Sequence, residues 1–245
     1  MQPRVVFFDF HDTLARYEPH HLVLYEQAAV EHGVMLDRSA FEGTARQSWI
    51  DDAWEEWITP LGIDHSAGST DAASYRELRV AMTRRRIAAA AAGANDEAVE
   101  SIARRIAELE SEPRHFALFD DTRPALAALR DLGLRSFIVS NHVWELPEVA
   151  SGLGLDGLVE DVLTSARVGY RKPHPAIYAE ALRVAGVAAS EVLFVGDSWS
   201  HDVEGPRAAG MEAQLIDRGG ASGHADAVTS LLELPLLDGA PSSRA

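Results

Sequence analysis

The chain has 245 residues, 47% of them hydrophobic, enough for one large domain or for a core carrying a smaller insertion. Its 38 acidic against 22 basic side chains give a formal charge of -16, which repels polyanions and excludes nucleic acid as an expected partner. Cysteine is absent, so disulfide scaffolds, thiolate metal sites and cysteine nucleophiles are excluded together, and a cytoplasmic setting is the expectation.

Arg4 to Phe10 is a short β-branched and aromatic run without strict alternation. That pattern predicts a strand buried on both faces of a parallel sheet rather than a secretory leader. No apolar stretch approaches the roughly 20 residues that span a bilayer, so no membrane partner is expected. From about Tyr17 to about Phe119 the spacing predicts helices and no strand: His21 to His32, Arg38 to Trp57, Ser74 to Ala92 and Asp96 to Glu110.

After Asp121 the pattern alternates. Helices are predicted at Pro124 to Leu132, Glu145 to Leu153, Pro175 to Ala185 and Val203 to Ala209, and strands at Arg135 to Asn141, Asp161 to Ser165, Val192 to Asp197 and Glu212 to Ile216. Such alternation implies an α/β fold, a doubly wound parallel sheet covered on both faces, to which the first strand belongs despite the intervening helices. The expected organisation is a core of residues 1–15 and 120–236, an inserted helical subdomain of residues 16–119 and a frayed tail of residues 237–245.

In open α/β sheets ligands bind at the carboxyl ends of the strands. The first strand ends in Asp9-Phe10-His11-Asp12-Thr13-Leu14, the second in Ser140-Asn141, and a later one in Gly196-Asp197-Ser198 with Asp202 beyond it; Lys172 lies in Gly169-Tyr170-Arg171-Lys172-Pro173. Singly these are ordinary features: an Asp in a turn, a Ser-Asn capping a helix, a loop lysine before proline. Together and in this order they carry more.

With these four motifs the chain resembles the haloacid dehalogenase superfamily, in a phosphatase-like branch with a helical cap inserted after the first motif. The resemblance covers the core and implies a hydrolase with Asp9 as nucleophile, forming an aspartyl-phosphate that water then cleaves. It implies Mg²⁺ held by Asp9, the backbone carbonyl of His11, Asp197 and Asp202, the last directly or through water. It assigns phosphate contacts to Thr13, Ser140, Asn141 and Lys172, helped by the following helix N-terminus. The expected partner is a small phosphorylated metabolite, and the expected assembly a monomer or homodimer.

One position departs from that pattern. Phosphatases of this family usually carry a second Asp two residues after the nucleophile as general acid, and this chain has His11 there. Imidazole titrates near neutral pH and can protonate a leaving oxygen, so His11 is the acid/base candidate. The alternative is that His11 lends only its carbonyl to the metal. Asp12, if the segment is extended, faces away from Asp9. Loss of the second Asp also resembles the 2-haloacid dehalogenase branch, which displaces halide from carbon without metal, and a non-catalytic phosphate-ligand module is a third reading. Against the dehalogenase stands the acidic pair Asp197 and Asp202.

In the insertion, Trp54 and Trp57 have the spacing of cap core, while Trp49, Trp54 and Trp57 are alternatively ring-stacking residues. Arg84-Arg85-Arg86 fits a solvated helix face better than an anion grip, since neighbouring residues on a helix point in different directions. His142, just after Ser140-Asn141, is the specificity candidate. Arg167 stands where relatives often have an acid near the motif lysine, and is read as a surface residue.

Overall fold

The computed structural model describes residues 3–42 and 70–237. The chain divides into two compact units, Met1–Arg16 with Phe116–Ala245, and Tyr17–His115. Most of the segment expected as helix from Arg38 to Trp57, all three insertion tryptophans and residues 238–245 lie outside the described residues.

The larger unit is a five-stranded sheet. Its strands are β1 (Val5–Phe8), β4 (Arg135–Ser140), β5 (Asp161–Thr164), β6 (Val192–Gly196) and β7 (Glu212–Leu215), in the order β5-β4-β1-β6-β7. Every pairing is parallel, with Phe7 opposite Phe137 on one side and Phe194 on the other. β1 is apolar on both faces because both are covered: all four of its residues are fully buried. Val5 and Phe7 join Phe137, Val139 and Phe194 in a core against Ile177, Tyr178 and Ala181 of the helix α7 (Pro175–Ala185). By strand alternation Val6 and Phe8 face the opposite side.

The ends of α7 are set by sequence. His174 caps it, accepting a hydrogen bond from the Ala176 amide through Nδ1 (3.2 Å), Pro175 occupies the first turn, and Gly186 ends it at φ +67°. The remaining helices of this unit are α4 (Thr122–Asp131), α5 (Leu146–Gly152), α6 (Ser165–Val168) and α8 (Gly205–Ala208). The helix expected at Val203 to Ala209 is present as α8, and a wide π-type turn, Trp199–Glu204, leads into it.

Two strands escaped the sequence reading. β2 (Ala15–Tyr17) and β3 (Phe116–Leu118) pair with each other in a separate two-stranded sheet. Three residues are too few to show a period, so periodicity could not find them.

In the smaller unit, α1 (His21–Glu31), α2 (Ala72–Ala88) and α3 (Asp96–Leu109) pack around Leu24, Tyr25, Ala28, Val80, Ile87, Ile102 and Ile106. Asn95 caps α3 by accepting from the Ala98 amide (2.8 Å), with Asp96 and Glu97 in its first turn. No described helix is long and apolar enough to cross a membrane.

Candidate active site

The sheet order reverses between β1 and β6, and Asp9 and Asp197 follow those two strands directly. This is the topological switch point where doubly wound folds bind ligands. Carboxylate oxygens of Asp9, Asp197 and Asp202 all lie within 4.8 Å of one another.

Lys172 is the counter-charge. Its Nζ donates to Asp9 Oδ1 and to Asp202 Oδ1, 2.6 Å each, at 3% exposure. A reciprocal clamp fixes its backbone: the Lys172 amide donates to Asn141 Oδ1 (2.7 Å), and Asn141 Nδ2 donates to the Lys172 carbonyl (2.8 Å). The Asn141 side chain thus holds Lys172 in place through one donor and one acceptor.

Burial disfavours an ionised Asp9, but the Lys172 ammonium outweighs it, and the Ser140 hydroxyl and Phe10 amide add to that, so Asp9 is held below the usual carboxylate range. Desolvation of Lys172 is likewise overcome by Asp202 and Asp9, which raise its pKa. Asp202, fully buried, is pushed up to about 6, by desolvation first and Asp9 repulsion against the pull of Lys172. Asp197 is raised well above the ordinary range by desolvation in the cleft, then by Asp9 and Asp202, although its side chain reaches solvent.

The two later acids differ in their partners. Asp202 is fully engaged, accepting from Lys172 at one oxygen and from the Ser198 amide (3.0 Å) at the other. Asp197 accepts, among the described residues, only the Thr13 hydroxyl at a long 3.4 Å. Asp202 reaches this position because residue 196 is glycine: a Cβ there would stand 2.3 Å from Asp202 Cγ. The turn Trp199–Glu204 carries Asp202 back under the strand end, and turns of this type often occur at functional sites. The need for Gly196 was not visible in the sequence, where it was one of 18 glycines.

The segment after Asp9 is not extended. Asp12 has φ +55°, so the alternation expected of an extended chain fails there, and the Asp12 charge reaches Asp197 as a further repulsion. His11 has a 35% exposed side chain whose Nδ1 lies 3.4 Å from Asp12 Oδ2. Thr13 is fully buried with its hydroxyl on Asp197.

After Ser140-Asn141 the helix expected from Glu145 follows as α5, with Glu145 at its N-cap and Leu146 its first residue. His142 packs against Phe10 and Phe116, ring centroids 5.3 and 5.6 Å away, and is 9% exposed. Arg167 is a surface residue: it donates to the Trp144 carbonyl (2.7 Å) and pairs with Glu148.

In the helical unit the structure corrects one expectation. Arg86 is not on a solvated face but fully buried, donating to Tyr25 Oη (2.9 Å). Only Arg84 of the three is exposed, paired with Glu100 (3.0 Å).

A doubly wound parallel sheet with these side chains at its switch point agrees with the comparisons to known families. Residues 3–210 match the model of the haloacid dehalogenase-like hydrolases, and the chain belongs to that family: it is an enzyme of the hydrolase class. It is 32% identical over 217 residues to haloacid dehalogenase-like hydrolase domain-containing protein 3 of Homo sapiens, spanning 88% of this chain and 82% of that one. A phosphoserine phosphatase of Thermus thermophilus is 39% identical over 119 residues, 48% of each chain. Among solved structures, a 2-haloacid dehalogenase from Pseudomonas syringae pv. Tomato DC3000 superposes with a TM-score of 0.65 at 25% identity, covering 97% of this chain and 98% of that one.

Proposed function

We propose that the chain is a Mg²⁺-dependent phosphomonoesterase that cleaves a small phosphorylated metabolite through an aspartyl-phosphate on Asp9. The observation that carries this is Asp197: a carboxylate crowded by Asp9 and Asp202, whose repulsion Lys172 offsets only in part. The donors are all oxygens, which suits a hard divalent ion, and Asp9, Asp197 and the His11 carbonyl would hold it. Asp202, with both oxygens already bonded, serves by fixing Lys172. When bound, Mg²⁺ screens charge between the nucleophile and the phosphate.

Asp9, kept ionised by Lys172, attacks phosphorus in line and the P–O bond to the leaving group breaks. His11 gives that oxygen its proton, and then takes one from the water that attacks phosphorus and frees Asp9 with release of phosphate. Lys172 and Ser140 compensate charge on the phosphoryl oxygens, together with the Asn141 backbone amide. His142 borders the site as a specificity residue, and the helical unit takes the cap role that its insertion point gives it in this family. The relative named as a phosphoserine phosphatase supports the phosphate chemistry.

The second reading is a 2-haloacid hydrolase, favoured by His11 in place of the second Asp and by the dehalogenase among the structural relatives. A panel of phosphorylated metabolites and 2-haloacids, with and without Mg²⁺, separates the two. The expected result is Mg²⁺-dependent phosphate release that Asp9→Asn lowers by about 10³-fold or more. Halide release without metal would overturn it, and His11→Ala at wild-type rate would remove the acid/base role.

A further inference from the structure

The loop that carries the nucleophile is held from behind by a residue more than 200 positions away. Arg218, just after β7, donates to the Thr13 carbonyl through both Nε (3.1 Å) and a terminal nitrogen. The same guanidinium pairs with both carboxylate oxygens of Asp121, 3.0 Å each, and lies 3.8 Å over the centroid of the Phe119 ring. It is a planar fork whose edges meet Thr13 and Asp121 and one face of which stacks on Phe119, and lysine cannot reproduce that.

Asp121 is itself tied down, accepting from Ser230 Oγ (2.7 Å) and the Leu231 amide (2.8 Å). Phe119 and Thr122 in turn bond the Leu14 carbonyl, at 3.1 and 2.6 Å. The carbonyls of Thr13 and Leu14 are therefore satisfied from outside the loop, one after the other. On the loop's other side the Thr13 hydroxyl meets Asp197.

The geometry points to Arg218 as a positioning residue for the active site: with Asp121 it sets the shape of the loop Phe10–Leu14, and through Thr13 the placing of Asp197 relative to Asp9. Nothing in the family motifs includes it. The effect on turnover rests on the phosphatase reading above, but the effect on the loop does not.

The test compares wild type with Arg218→Met and Arg218→Lys in the full chain. Amide hydrogen exchange at Asp12–Ala15 is expected to quicken by about tenfold or more in both variants while Val192–Gly196 keeps its protection. Mn²⁺ binding, read from free Mn²⁺ by electron paramagnetic resonance, is expected to weaken about tenfold. With p-nitrophenyl phosphate, kcat should fall by about tenfold to a hundredfold and KM should stay within about threefold.

Wild-type loop exchange in Arg218→Lys overturns the inference, and that variant decides the matter if Arg218→Met fails to fold. A wild type inert toward every phosphate ester, with the loop loosened in the variants, refutes the phosphatase reading and leaves the clamp standing.

Discussion

Each unit buries a cluster of charges, and the two differ in how far solvent reaches them. In the helical unit Arg79 pairs with Glu110, Tyr25 Oη donates to Glu110 (2.9 Å), and Arg86 donates to Tyr25 Oη. Two guanidiniums thus share one carboxylate, with a phenol as relay. Tyr25 is pushed up to about 12 by burial and by Glu110, so it stays a donor at any physiological pH. In the core three carboxylates share one ammonium, and Asp197 is the one left over. Burying charge costs several kcal/mol per ion unless partners compensate. The helical cluster is closed off from solvent, with Arg86 and Glu110 buried and the Arg79 side chain 13% exposed. The core cluster keeps a negative surplus open to solvent, which makes sense where a cation and a phosphate are to bind.

Removing the central partner of each cluster breaks the comparison most sharply. Lys172→Met strands Asp9 and Asp202, and Glu110→Gln takes the ion-pair partner from Arg79; each is expected to cost about 3–5 kcal/mol by chemical denaturation. The difference lies in rescue. Mg²⁺ should restore part of the lost stability in Lys172→Met, because it binds the folded cluster, and none in Glu110→Gln. Turnover should fall about 10²- to 10³-fold in Lys172→Met even with Mg²⁺, while Glu110→Gln retains its kcat. Equal rescue of both variants would show that the core surplus is not a cation site.

A second test uses pH. Asp202 titrates in the folded chain at about 6, and Asp197 is raised as well. Between the ordinary carboxylate range near pH 4 and about pH 6 the folded state holds protons that the unfolded state has lost. Stability without metal therefore falls as pH rises through that window. Asp9, held low, acts with the opposite sign, but below pH 4. Asp197→Asn removes one raised group, so its Tm in chelator should fall less than that of wild type between about pH 4.5 and pH 6.5. A steeper fall in the variant would mean that Asp197 is not under repulsion. The variant should also lose Mg²⁺-dependent turnover, so the same substitution that steadies the metal-free protein disables it.

The grouping in the core was legible because Asp9, Ser140 and Asp197 stand at strand ends, which converge at one place in a doubly wound sheet, and Lys172 and Asp202 lie in the loops that follow in the same half. Asp9, Lys172 and Asp202 needed only chain order and spacing to be read as one set. What escaped was of two kinds. β2 and β3 are too short for a period to show, and Asp12 turned out of line because a left-handed residue breaks the alternation that periodicity assumes. Arg86 and Arg218 were hidden for another reason: three consecutive arginines look solvated, and a loop arginine whose partners are a carbonyl, a ring and a distant acid leaves no motif. Gly196 was legible as part of a motif but not as the space Asp202 needs.

The smallest expected effect bounds the comparison from below. Arg84 and Arg86 are two residues apart on α2, yet Arg84 meets Glu100 on the surface with 44% of its side chain exposed, while Arg86 is inside. An exposed pair of this kind gains little Coulomb energy against solvent and gives up side-chain freedom to form. Arg84→Ala should therefore change unfolding free energy by less than about 0.5 kcal/mol, a value salt screens further. Arg86→Met removes a donor from Tyr25 and a cation from beside Glu110, so it should exceed Arg84→Ala several-fold in the same denaturation series. If the two arginines cost the same, burial is not what separates them, and the helical cluster would lose its standing as the closed counterpart of the core.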